Sequence, residues 1–173
     1  LKMFRNKTKV LGIDPARNVA SFAIKKNKVP TLIEYFNEDT VKKIKKKYKK
    51  PKIILAFNVF AHTPSMINFA NNIKKILKPD GIFIFEAQYL KDILQNNILG
   101  TFFHEHISHH SIYSLNKLFN SVNLKFLKIE NINIQKGSIL GFVTHKENKI
   151  KTDVSIKKFV LNERRNKINK KKN

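Results

Sequence analysis

The sequence predicts an α/β fold on a mostly parallel sheet closed by an antiparallel hairpin, and three observations carry that expectation. Short apolar runs alternate with amphipathic helical segments from Val10 to Phe85, the rhythm of units whose strands pair in parallel. Lys52 to Phe57 and Ile82 to Glu86 are near-continuous apolar runs, as strands covered on both faces are. Leu124 to Ile134 and Ser138 to His145 then follow one another with no helix between them, which a hairpin explains. With 173 residues, 42% of them hydrophobic, and 14 phenylalanines, the chain suffices for one sizeable core and is small for two.

Leu1 to Lys9 reads as the last turn of a helix. Val10 to Pro15 is a short buried strand ending in the acid Asp14, with Pro15 suited to the first turn of a helix whose apolar face is Val19, Phe22 and Ala23. A second strand spans Val29 to Phe36. Thr40 to Lys50 is a helix with Val41, Ile44 and Tyr48 on one face and a solvated lysine face opposite. The strand Lys52 to Phe57 runs into a polar elbow, Asn58-Val59-Phe60-Ala61-His62-Thr63-Pro64, at the edge where open α/β sheets bind ligands. Ser65 caps a helix carrying Met66, Phe69, Ile73, Ile76 and Leu77, and Lys78 to Gly81 turns into the strand Ile82 to Glu86. A short helix covers Tyr89 to Leu94, and an amphipathic one Ile112 to Val122. Beyond Glu147, Val154, Ile156, Phe159, Val160 and Leu161 mark a last amphipathic helix, followed by a basic run with a frayed end, Arg164 to Asn173. The expected division is residues 1–146 as a core and 147–173 as the start of a further domain or a basic tail.

The net charge of +23 resembles that of a nucleic-acid binder, but its composition argues against such a partner. Arg5, Arg17, Arg164 and Arg165 are the only arginines, and arginine is the side chain best suited to bidentate phosphate contacts. Lys, Asn and Ile are the residues that A/T-rich codons favour, which accounts for the excess without a polyanion. No apolar run approaches the roughly 20 residues of a membrane span, and no secretory signal follows Leu1. With no cysteine there is no disulfide or thiolate metal site, and the cytoplasm is the expected compartment. The five glycines form neither a GxG loop nor a P-loop.

The densest chemistry lies in Phe102-Phe103-His104-Glu105-His106-Ile107-Ser108-His109-His110. Imidazoles exchange protons near neutral pH, and an adjacent carboxylate can orient a ring or raise its basicity. On a helix His106 and His110 would share a face, yet the spacing matches neither HExxH nor HxxEH, so no metal is expected. The competing reading is satisfied polar groups at a core edge. Asp14 is placed to accept both ribose hydroxyls of a nucleoside, and an acid capping the next helix would look the same.

Several segments together, VLGIDPA (Val10 to Ala16), VPT (Val29 to Thr31), NVFAH (Asn58 to His62), LKPDG (Leu77 to Gly81), Phe85-Glu86 and TFFHEH (Thr101 to His106), resemble the S-adenosylmethionine-dependent C-methyltransferases that act on nucleotide-linked keto-deoxysugars. VLGIDPA and LKPDG point only to a class I methyltransferase, whereas NVFAH followed by HEHIS is more specific. The resemblance implies a Rossmann-like class I methyltransferase core, S-adenosylmethionine as cofactor and a nucleotide sugar as substrate. Asp14, with Pro15 after it, would meet the donor's ribose, Asn58 and Val59 would line the donor pocket, and His62 would face the substrate.

The implied reaction removes the proton beside a sugar ketone and lets the enolate carbon attack a sulfonium methyl. His106 with Glu105 beside it would be the base, and His62 or His104 would hold the enolate oxygen. Two positions depart from the pattern. Phe103 stands where the family has tyrosine, and Gln135-Lys136-Gly137-Ser138-Ile139-Leu140 stands for HGGSLR. The family's N-terminal zinc domain and first βα unit have no counterpart in this chain, which implies a fragment whose partner is the missing N-terminal segment of the same enzyme. A substrate-binding module without chemistry, and an O- or N-methyltransferase, are the rival readings.

Overall fold

The computed structural model describes residues 1–134 and 136–168. The chain divides into two compact units, Leu1–Lys49 and Lys50–Asn173.

In the first unit, β1 (Gly12–Ile13) and β2 (Thr31–Leu32) pair in parallel, with Gly12 opposite Thr31. Both strands are shorter than the apolar runs suggested. Helix α1 (Arg17–Lys25) joins them and buries only Ala20. Val19 and Phe22, expected on a covered face, are half exposed. Pro15 lies in a bend before the N-cap Ala16 rather than inside the first turn, because Asp14 Oδ1 accepts the Ala16 N–H at 2.8 Å and closes a turn of its own. Helix α2 (Glu38–Lys47) forms as the caps and charges dictate. Asn37 accepts the Thr40 N–H at 3.0 Å, Glu38 and Asp39 lie at the positive end of the helix dipole, and Lys45 to Lys47 lie at the negative end. Val41 and Ile44 are buried as expected, whereas Tyr48 caps the helix and is exposed.

The second unit is a four-stranded mixed sheet in the order β3-β4-β6-β5, from β3 (Ile53–Phe57), β4 (Ile82–Gln88), β5 (Leu124–Ile132) and β6 (Ser138–His145). β3 and β4 are parallel, and the closing hairpin is antiparallel. Its second strand, β6, inserts beside β4 and leaves β5 outermost.

Helices α3 (Met66–Ile76) and α5 (Ile112–Ser121) cover the face bearing Phe83 and Phe85, and Phe60, Phe69, Phe119 and Phe126 complete an aromatic core. The Phe60 and Phe85 rings stack at 4.5 Å between centroids, and Phe60 meets Phe69 edge-on at 5.4 Å. Gly141, opposite Phe85, leaves room for that ring, since a Cβ there would lie 2.4 Å from it. Strand β3 corrects an expectation. Ile53, Leu55 and Phe57 are exposed because period two sends those residues to the face opposite Phe83 and Phe85, away from α3 and α5.

Ser65 caps α3 by accepting the Asn68 N–H at 3.4 Å, and a short helix α4 (Leu90–Gln95) follows β4. The histidine-rich segment is not helical. It runs as an irregular loop from a 3₁₀ turn at Leu99–Thr101 to α5, so His106 and His110 do not share a helix face. Helix α6 (Ser155–Arg165) packs on α5 and β5. Its buried Glu163 accepts the Ile112 N–H at 2.5 Å and the Tyr113 N–H at 3.0 Å. The basic run beyond Ile168, and Gln135 of the QKGSIL stretch, lie outside the described residues.

Candidate active site

The elbow after β3 is built by strain at one residue and burial at another. Asn58 takes φ of 54°, a left-handed conformation that asparagine tolerates better than most residues. Its N–H donates to Glu86 Oε2 at 3.2 Å. Two residues on, the buried Phe60 ring anchors a 3₁₀ turn, Phe60–His62, to the aromatic core, and so holds His62 at the surface.

The histidine loop is zipped to this elbow. Ile107 N–H donates to the Ala61 carbonyl at 2.7 Å, and His62 Nδ1 lies 2.9 Å from the Glu105 carbonyl oxygen. His62 and His106 consequently meet with ring centroids 4.9 Å apart. Asn58, His62, Glu86, Gln88, His106 and His109 line one recess at the carboxyl ends of β3 and β4.

His106 has a defined tautomer. Its Nδ1 lies 2.9 Å from the Thr101 carbonyl oxygen and 3.2 Å from the Thr101 hydroxyl, which itself donates to Gln88 Oε1. A carbonyl only accepts, so Nδ1 carries the proton and the Nε2 lone pair of the neutral ring stays available to take another. The same reasoning puts the proton of neutral His62 on Nδ1. Phe103 lies over His106 at 4.1 Å and 37° and limits rotation of the imidazole.

The structure places the other candidates elsewhere. The side chains of His104 and Glu105 are 90% and 63% exposed and lie 3.9 Å apart, so the Glu105 carboxylate faces His104 and Thr101 is what orients His106. Glu105 contributes its backbone carbonyl, to His62. His109 packs edge-on against Phe102 at 4.8 Å and lies 5.8 Å from His106. Burial pushes its pKa below the ordinary histidine value, with His106 adding to the effect. His110 is buried beside Phe60 and lies 3.1 Å from Ser108 Oγ. Burial pushes its pKa down, a hydrogen bond with the Phe60 backbone opposes the shift, and His109 adds to it.

Sequence reasoning missed three members of this arrangement. Thr101 gave a signal only as the first residue of the TFFHEH segment, and Gln88 gave none beyond lying near Glu86. Glu86 did give one, since a carboxylate ending a buried apolar strand is rare without a purpose.

In the first unit, Asp14 directly follows β1, with Oδ1 committed to the Ala16 turn and Oδ2 outside that turn. Val59 is half-buried in the elbow. No group of three or more His, Asp or Glu able to hold a metal is found among the described residues. Among the same residues no helix is long and apolar enough to cross a membrane.

Residues 1–129 match a family model described as a methyltransferase domain. The chain is 34% identical over 143 residues to the C-methyltransferase NovU of Streptomyces niveus, a match that covers 82% of this chain and 34% of that protein. The chain thus spans about a third of the length of the curated relative it matches. Among solved structures it resembles an S-adenosylmethionine-dependent methyltransferase of Anabaena variabilis (TM-score 0.64, 12% identity, 83% of this chain and 71% of that one). It also resembles the magnesium protoporphyrin IX methyltransferase of Synechocystis, solved with S-adenosylhomocysteine bound (TM-score 0.61, 11% identity, 82% and 66%). These last two likenesses establish the Rossmann-like α/β methyltransferase fold.

Proposed function

Because the chain belongs to the methyltransferase-domain family, we propose that it methylates carbon, on a nucleotide-linked keto-deoxysugar, at the position beside the ketone. One observation carries the reading: an imidazole, His106, is locked through Nδ1, and its basic nitrogen, Nε2, has no partner among the described residues, in a recess at the carboxyl ends of two parallel strands.

Bound S-adenosylmethionine supplies an electrophilic methyl group on a sulfonium. In the first unit Asp14 Oδ2 would be the group for ribose hydroxyls of the donor, and in the second Asn58 and Val59 would be donor-contacting residues. His106 Nε2 takes the proton from the carbon beside the ketone, and the C–H electron pair becomes that of the enolate. As the ring becomes imidazolium, the Nδ1–H bond to the Thr101 carbonyl strengthens, which favours proton uptake. His62, 4.9 Å from His106, keeps Nδ1–H on the Glu105 carbonyl, so it donates to the enolate oxygen through Nε2 only as a doubly protonated imidazolium. Phe103, 4.1 Å from the His106 ring, preserves its orientation.

Two measurements test this. Solvent deuterium entering the carbon beside the ketone reports proton abstraction without the donor, and methyl transfer reports the whole reaction. His106→Ala is expected to slow both about 10²- to 10⁴-fold while leaving donor binding intact, and Asp14→Ala to weaken donor binding alone. Wild-type exchange rates in His106→Ala would refute the base assignment. Sugar-nucleotide binding without exchange in the unaltered chain would instead identify a binding module.

A further inference from the structure

The recess beside His106 contains more polar atoms than proton abstraction uses. Glu86 is only 4% exposed, and while Oε2 accepts the Asn58 N–H, Oε1 is enclosed with no hydrogen-bond partner among the described residues. His109 lines the same recess with both ring nitrogens enclosed and likewise unpartnered. Buried polar groups are nearly always paired, so unpartnered atoms on two residues that line one recess mark a place that something else completes.

Their chemistry selects the occupant. A neutral imidazole has one N–H and one lone pair, and a carboxylate oxygen only accepts. A cation brings donors alone and would leave the His109 N–H unmet. A phosphate or carboxylate brings acceptors alone and would oppose the Glu86 charge. A hydroxyl, of a sugar or of water, both donates and accepts, and only a sugar's would make the recess discriminate between substrates.

We propose that Glu86 and His109 form a subsite for an alcohol hydroxyl of the substrate, on a carbon close to the one that His106 deprotonates. The hydroxyl donates to Glu86 Oε1 and accepts from the His109 N–H. The depressed pKa of His109 keeps its ring in the neutral, donor-and-acceptor form that this pairing needs. The subsite rests on the keto-sugar reading above and deepens it, because it makes the recess select a hydroxylated sugar over its deoxy counterpart.

The test compares thymidine-diphosphate-linked 4-keto-6-deoxyglucose with its 2-deoxy and 3-deoxy analogues, using solvent deuterium exchange beside the ketone as readout. The unaltered chain is expected to favour the parent sugar over one of the analogues by about ten- to a hundredfold in kcat/KM, the effect of one hydrogen bond to a charged group. Glu86→Gln should erase that preference, mainly through KM. Glutamine keeps an oxygen for the Asn58 N–H and presents an amide N–H₂ where Oε1 stood. His109→Phe, which fills the ring's space without polar atoms, should reduce the same preference and provides a second route if Glu86→Gln folds poorly. Equal rates on all three sugars, or a preference that survives both variants, would overturn the subsite while leaving the methyl-transfer reading intact. No exchange on any of the sugars would refute the keto-sugar reading itself, and the subsite with it.

Discussion

Glu163 offers the most quantitative test of how the histidine loop is held. Its carboxylate is fully buried on α6 and accepts the backbone N–H groups of Ile112 and Tyr113, the first two residues of α5, which begins directly after His110 and Ser111. Glu163→Ala would leave both donors without that partner. An unmade buried hydrogen bond costs about 1–3 kcal/mol. Ile112 is fully enclosed and should incur that cost, while half-buried Tyr113 can turn partly to water and falls at the lower end. Loss of the negative charge at the start of α5 adds about 0.3–1 kcal/mol, so the expected destabilisation is about 2–5 kcal/mol. Glu163→Gln keeps one oxygen acceptor and should cost about 1–2 kcal/mol. Urea unfolding at pH 7.5 followed by far-UV circular dichroism gives both values, provided the m-values agree. An alanine variant within about 0.5 kcal/mol of the parent chain would show that the Ser111–Ser114 capping box alone holds this helix start.

Acid should act through the buried imidazoles. The pKa values of His109 and His110 are lowered chiefly by burial, so below about pH 6.5 the unfolded chain takes up protons that these folded rings resist. Their contribution to stability is complete above the unfolded value and is lost as pH falls through the folded ones. Thermal melts from pH 7.5 to pH 5 should show this loss, and replacing both histidines with asparagine should flatten it; an unchanged slope would refute the assignment. In the core, Gly141→Ala would drive a methyl group to within 2.4 Å of the Phe85 ring. A loss of about 1–3 kcal/mol is expected in the same urea assay, and a variant as stable as the parent would show that the ring can move aside.

The order of the elements was legible because periodicity and caps are local properties. Ser65 as a cap, the Val41 and Ile44 face of α2, and the run of two final strands all follow from near neighbours in sequence. Exposure was less legible. Lys52 to Phe57 reads as a strand buried on both faces, yet whether a neighbour covers a face depends on chain distant in sequence, and in this sheet β3 is an edge strand with one open face. Pro15 shows the limit at a single residue, since a carboxylate turn at Asp14 starts the helix two residues later than the proline suggests.

For the site, the amino-acid sequence alone determined which chemistry is present: imidazoles clustered near one carboxylate, an elbow carrying His62, and segments sufficient to point to methyl transfer. Tertiary structure alone decided which of these groups meet. It set His62 against His106 from 44 residues away, gave the ring-orienting role to the Thr101 carbonyl rather than the adjacent Glu105 carboxylate, and enclosed Glu86 beside them. The reason is physical. Residue types fix which protons can be held, but a lone pair is aimed by the backbone carbonyl opposite the other ring nitrogen, and that carbonyl's position exists only once loop, elbow and sheet have packed.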